Sequence, residues 1–211
     1  AAINSSLYGV VKEGLRQKEK IAHVYGMVNG IEGFLNGTVL DFEEALPGEE
    51  LEYLKTTPGA YLGSCRYKLP EDLEDAVYPE LFQKFEELEI GYFFYIGGND
   101  SMDTVDKLAA YCKEHKIEDI HVMGAPKTID NDLVGTDHCP GFGSAAKYIA
   151  TTFSELERDC HVYDTKAVTI VEVMGRNAGW LTAASALARN NGAAGPSLIY
   201  LCEPAFSVES F

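Results

Sequence analysis

Between residues 90 and 123 the sequence changes periodicity twice, and this limits the folds open to the chain. Residues 90–96 are a short, almost wholly apolar run, the pattern of a parallel strand buried on both faces. A helix is predicted over 101–115 and a second strand over 119–123. Parallel neighbours need a crossover, usually a helix. The expected class is therefore α/β, built on a doubly wound, parallel-rich sheet. Ligands of such sheets bind outside the carboxyl ends of the strands. That draws attention to the polar segments that follow each run, Gly97-Gly98-Asn99-Asp100-Ser101 and Ala125-Pro126-Lys127-Thr128-Ile129-Asp130-Asn131-Asp132.

The remaining elements fit the same alternation. Asn4 or Ser5 can cap a helix running to about Gly14, with Leu7, Val10, Val11 and Leu15 on one face. A strand is expected over 23–29, loops at Gly30, Gly33 and Gly37, a short helix over 47–55, and an extended or looped piece over 61–66. Leu73, Val77, Leu81, Phe82, Phe85 and Leu88 recur at helical spacing. A further helix is predicted over 144–157, a strand over 167–173, a helix over 178–189 that Asn177 could cap, and a strand over 197–201.

Charge narrows the function. Seventeen basic against 33 acidic residues give a formal charge of −16, which opposes binding to nucleic acid or to anionic lipid. An anionic substrate would have to meet a few local cations, of which Arg66, Lys127 and Arg176 lie near motifs. The five cysteines form no Cys-x-x-Cys pair, and no apolar run reaches membrane-helix length, so a reduced, cytoplasmic setting is expected. Asn4, Asn36 and Asn99 sit in glycosylation-like triplets, read here as chance matches.

The two polar segments, with Val171-Glu172-Val173-Met174-Gly175-Arg176, resemble the signature set of the phosphofructokinase family and, within it, the pyrophosphate-dependent branch. The resemblance implies two Rossmann-like α/β domains: a phosphate-donor-binding domain over 1–141 and the first part of a sugar-phosphate-binding domain over 142–211. It also implies that a first strand and glycine-rich turn are missing before Ala1, and that later sugar-phosphate residues are missing after Phe211.

By the same resemblance Asp130 is the general base on the sugar hydroxyl, and its neighbour Asp132 orients the site or holds a metal-bound water. Arg66 and Lys127 meet the transferred and leaving phosphate, and Thr128, Asp130, Asp132, Met174, Gly175 and Arg176 bind the sugar-phosphate substrate. Gly97, Gly98, Asn99, Asp100 and Ser101 cradle the donor. A carboxylate at Asp100 would repel the α-phosphate of ATP, while Lys127 offers a point charge to pyrophosphate. Two departures stand out. Asn99 replaces a magnesium-linked aspartate, leaving Asp100 to take that contact, and the position of a sugar-phosphate arginine holds Ala167 beside Lys166. The expectation is a reversible, magnesium-dependent transfer between pyrophosphate and fructose 6-phosphate in a homo-oligomer. An ATP-dependent sugar kinase and a non-catalytic fragment or regulatory subunit are its rivals.

Overall fold

The computed structural model describes residues 2–209 and divides into two compact units, Ala1–Lys127 and Thr128–Phe211. The division precedes the expected boundary at 141. The Lys127 N–H still joins the sheet, donating to the Gly97 carbonyl at 2.7 Å, whereas Asn131 ties the following loop to residues 137 and 139.

In the first unit, α1 (Ala2–Arg16) starts before Asn4, which is therefore not its cap. Asn4 is buried: its Nδ2 donates to the Thr57 carbonyl at 2.8 Å and its Oδ1 accepts from Tyr61 N–H at 2.7 Å. A capping signal in the sequence is thus a buried tie to a distant turn. β1 (Tyr25–Met27) pairs antiparallel with β2 (Val39–Asp41), Tyr25 opposite Asp41. Between them the glycines expected to form loops belong largely to α2 (Gly30–Leu35). Gly33 is there because its backbone runs against the Val28 carbonyl oxygen, which a Cβ would overlap. Asp41 Oδ1 caps α3 (Phe42–Ala45) by accepting from Glu43 N–H at 2.9 Å, and a 3-10 helix follows over Gly48–Lys55.

Lys12, Lys55 and Tyr8 all donate to the Glu52 carboxylate and hold its pKa down at about 2, with Lys12 the largest influence. A depressed carboxylate stabilises the fold above its unfolded pKa and loses that contribution as pH falls through the folded value. Glu52→Gln should therefore melt below the unmodified protein at neutral pH, with the gap closing as pH drops from about 4.5 towards 2. Melting curves across that range check it; a gap of constant size would show that Glu52 acts by packing instead.

α4 (Val77–Glu87) starts later than its apolar spacing predicts, because Asp72 and Asp75 take the N–H groups of Glu74 and Val77 at 3.0 Å each. Next come β3 (Tyr92–Gly97), α5 (Asn99–His115) and β4 (His121–Pro126), with β3 and β4 parallel from Tyr92 opposite His121 to Gly97 opposite Pro126. This is the predicted βαβ unit with shifted limits. Ala125 and Pro126 extend the strand instead of opening the loop, and Asn99, Asp100 and Ser101 form the first turn of the helix. β3 is not buried on both faces: Phe93 is 4% exposed, but Tyr92 and Phe94 are 52% and 41% exposed. Phe93 meets an aromatic core in which Phe85 stacks on Phe34 at 5.4 Å and Phe82 lies tilted against Tyr111 at 4.6 Å. Each buried ring contributes about 2–3 kcal/mol by leaving water.

In the second unit, α6 (Phe142–Asp159) packs on α7 (Trp180–Ala184) and on a 3-10 helix, Ser185–Asn191. Small residues allow the approach: Ser154 Oγ reaches the Ala188 carbonyl at 3.4 Å, and Ala150, Ala184 and Ala188 are buried. The single helix expected over 178–189 is divided where Ser185 Oγ donates back to the Thr182 carbonyl at 2.6 Å. The strands expected over 167–173 and 197–201 do not form among the described residues, and Val168 and Ile170 stand 86% and 84% exposed. Propensity favours extended backbone, but a strand exists only where a neighbour takes up its N–H and C=O groups. No helix among the described residues is long and apolar enough to cross a membrane.

Candidate active site

The residues expected to meet the donor lie in the first unit. Gly97 ends β3, Gly98 precedes α5, and no side chain of the described residues caps the helix start. A 17-residue helix beginning this way leaves N–H donors and a partial positive charge at its mouth. Gly97 is packed so closely on Ser101 that a Cβ would overlap the Ser101 hydroxyl. Beside it, Lys127 leaves β4, and a Cβ built on Gly98 would lie 3.8 Å from Lys127 Nζ. Parallel pairing of Gly97 with Pro126 brings this about, since it puts both strand ends at one level.

Asp100 is exposed in the first turn of α5, and its Oδ1 lies 3.1 Å from Lys68 Nζ. Arg66, two residues before Lys68, is exposed, as is Asn99. The segment carrying both cations is anchored by Lys107, whose side chain is 9% exposed. Lys107 Nζ donates to the Leu69 carbonyl at 3.0 Å, Glu71 Oε1 at 2.7 Å and Asp103 Oδ2 at 2.8 Å. Asp103 foremost, then Glu71, raise its pKa, so it stays charged although buried. Sequence reasoning passed over Lys68 and Lys107, because nothing in their spacing marks them; the only signal was basic residues in an acidic chain.

The second unit holds the acidic loop. Asn131 is its pin: it is buried with φ 60°, its Nδ2 donates to the Asp137 carbonyl at 3.1 Å, and its Oδ1 accepts from Cys139 N–H at 2.8 Å. Asparagine tolerates that left-handed backbone better than most residues. Thr128 Oγ1 donates to Asp132 Oδ1 at 2.6 Å and accepts from Asp130 N–H at 3.0 Å. Asp132 is thus tied to Asp130 through Thr128, an arrangement that orients the loop. Asp130 Oδ1 is buried with no hydrogen-bond partner among the described residues. A buried carboxylate oxygen without a donor costs free energy unless a ligand group supplies one.

Met174, Gly175 and Arg176 lie in an irregular segment instead of at a strand end, and the following helix is preceded by Gly179, not capped by Asn177. Gly175 has φ 144°, and a Cβ there would overlap the Ala178 carbonyl oxygen. Met174 and Arg176 are exposed. Glu203, which sequence reasoning also missed, accepts from Gly179 N–H at 2.7 Å. That bond holds its carboxyl below the usual range. The signal available was a carboxylate directly after an apolar run.

The phosphofructokinase family model matches residues 1–211. Among curated proteins, the pyrophosphate–fructose 6-phosphate 1-phosphotransferase of Rhodospirillum rubrum is 44% identical over 213 residues, covering 100% of this chain and 50% of its own. An ATP-dependent 6-phosphofructokinase of Glaesserella parasuis is 32% identical over 208 residues, covering 99% of this chain and 58% of its own. Among solved structures, a pyrophosphate-dependent phosphofructokinase from Marinobacter aquaeolei is 40% identical with a TM-score of 0.81, over 99% of this chain and 52% of that one. The chain spans about half the length of the curated relatives it matches. It has their α/β fold, and it belongs to the phosphofructokinase family.

Proposed function

We propose that this chain contributes the donor site and the first part of the acceptor site to a reversible phosphotransferase that moves a phosphoryl group between pyrophosphate and the 1-hydroxyl of fructose 6-phosphate. The observation that carries the reading is Lys127 Nζ beside Gly98 at an uncapped helix start that also bears Asp100. An ammonium and free N–H groups suit a compact polyanion. The carboxylate at Asp100 opposes a donor with a third phosphate and a nucleoside. The higher identity to pyrophosphate-dependent relatives supports the same choice of donor.

Phosphoryl transfer asks the protein for position, charge neutralisation and a base. Asp130 accepts the proton of the sugar 1-hydroxyl as that oxygen attacks phosphorus, and the bridging P–O bond of pyrophosphate breaks to release orthophosphate. Lys127 and Arg66 meet the charge on the leaving and transferred groups. Thr128 and Asp132 orient the base, while Met174, Gly175 and Arg176 bind the sugar phosphate. Gly97, Gly98, Asn99, Asp100 and Ser101 form the donor cradle.

The exposed Asn99 and Asp100 offer hard oxygen donors. One carboxylate with water and substrate phosphate is a usual magnesium set, so these residues fit Mg²⁺. Bound there, the ion would neutralise phosphate charge. The domain roles follow: residues 1–141 bind the donor, and 142–211 begin the sugar-phosphate site. A cytoplasmic homo-oligomer belongs to the same reading. The test is fructose 6-phosphate phosphorylation by the natural full-length protein with magnesium, supplying pyrophosphate and ATP separately. Turnover with pyrophosphate alone is expected. Turnover with ATP alone would hand the site to a nucleotide-dependent kinase, and none with either would leave a non-catalytic role.

A further inference from the structure

We propose that Lys68 binds pyrophosphate and makes the donor choice workable by compensating that donor for the charge of Asp100, an inference that rests on the pyrophosphate reading above. Its Nζ lies 3.1 Å from Asp100 Oδ1, with side chains 68% and 67% exposed. An exposed pair of this kind adds little to stability, so folding alone gives no reason for it. The backbone that delivers Lys68 is nevertheless held firmly. Leu69 is 3% exposed and its carbonyl accepts from Lys107, the Pro70 carbonyl accepts from Tyr78 OH at 2.6 Å, and Glu71 pairs with Lys107. Lys107 in turn holds Asp103, one turn into α5. Residues 69–71 are thereby fastened to the helix whose first turn bears Asp100, and Lys68 is the next residue out.

Electrostatics supplies the purpose. In a chain of formal charge −16, a carboxylate at the donor site opposes every polyanion, pyrophosphate included. Repulsion of ATP is useful only if the wanted donor is compensated. An ammonium at Lys68 supplies that compensation: with three donors it can keep Asp100 and still meet a phosphate oxygen. With Lys127 Nζ near Gly98, two lysines then serve the uncapped start of α5. Lysine is suited to this, being a flexible point charge that needs no planar partner.

The experiment uses the natural full-length protein with Lys68→Met and Lys68→Arg, each also in an Asp100→Asn background. Initial rates at varied pyrophosphate and saturating fructose 6-phosphate give KM and kcat. Lys68→Met should raise the pyrophosphate KM by about tenfold, the loss expected for one charge-assisted contact. Lys68→Arg should restore most of it, Asp100→Asn should shrink the Lys68→Met effect, and the melting temperature should not move. An unchanged KM in Lys68→Met, or an equal loss in the Asp100→Asn background, overturns the proposal while pyrophosphate turnover by the unmodified protein leaves the function standing. A drop in melting temperature that accounts for the loss also overturns it. No pyrophosphate turnover by the unmodified protein defeats the functional reading itself.

Discussion

Replacing Asp130 with Asn should lower kcat by about 10³-fold with little change in the fructose 6-phosphate KM, the size expected when a positioned general base is lost. The substitution keeps the shape of the side chain and removes its capacity to take a proton. It should not disturb the loop, which is held by the backbone N–H of Asp130 on Thr128 and by Asn131 on residues 137 and 139. Asp130 Oδ1 has no partner among the described residues, so no folded-state hydrogen bond depends on it. The readout is kcat and KM for both proteins at one fixed pH. A variant that keeps more than a tenth of the rate would place the base elsewhere.

The second large effect is a change of donor. Converting Asp100 and Lys127 together to Gly should reduce pyrophosphate turnover by about 10²–10³-fold, the cost of removing a preorganised group that stabilises developing charge. Turnover with ATP should rise from the unmodified level. Both changes act at one place, because Lys127 Nζ lies beside Gly98 and Asp100 occupies the first turn after it. Glycine in that turn weakens the helix start by up to about 1 kcal/mol, so a melting curve must accompany the kinetics. If pyrophosphate turnover falls and ATP turnover does not improve while the fold holds, the donor is chosen by other residues.

Much of this site could be read before any coordinates. The run at 90–96, the helix at 101–115 and the run at 119–123 gave the βαβ unit in the right order, since strand and helix periodicities differ strongly over such lengths. Limits were less legible. Asn99 and Asp100 look like turn residues by composition, yet they begin α5, because the first helical turn tolerates acids and small polar groups. Asn4 carries a capping and even a glycosylation pattern, and only the distant Thr57 and Tyr61 reveal its use as a buried tie. The apolar runs at 167–173 and 197–201 have strand composition but no ladder partner among the described residues, which no local pattern can disclose.

What the sequence determined by itself was the class of chain and the order of its candidate groups: an α/β protein, a glycine pair before a helix, a lysine and two aspartates after a second strand, and an acidic balance that makes each local cation informative. Those properties are set by residue type and by spacing over a few positions. Tertiary structure alone decided that Lys127 stands at Gly98, that Lys68 answers Asp100, that Lys107 fastens the segment after Lys68 to α5, and that Asp130 keeps an oxygen without a donor among the described residues. Each joins groups that parallel pairing or side-chain packing brings together, or depends on which partners the fold leaves out. Such contacts are fixed by the three-dimensional balance of buried area, charge and hydrogen bonding, which has no local signature in the chain.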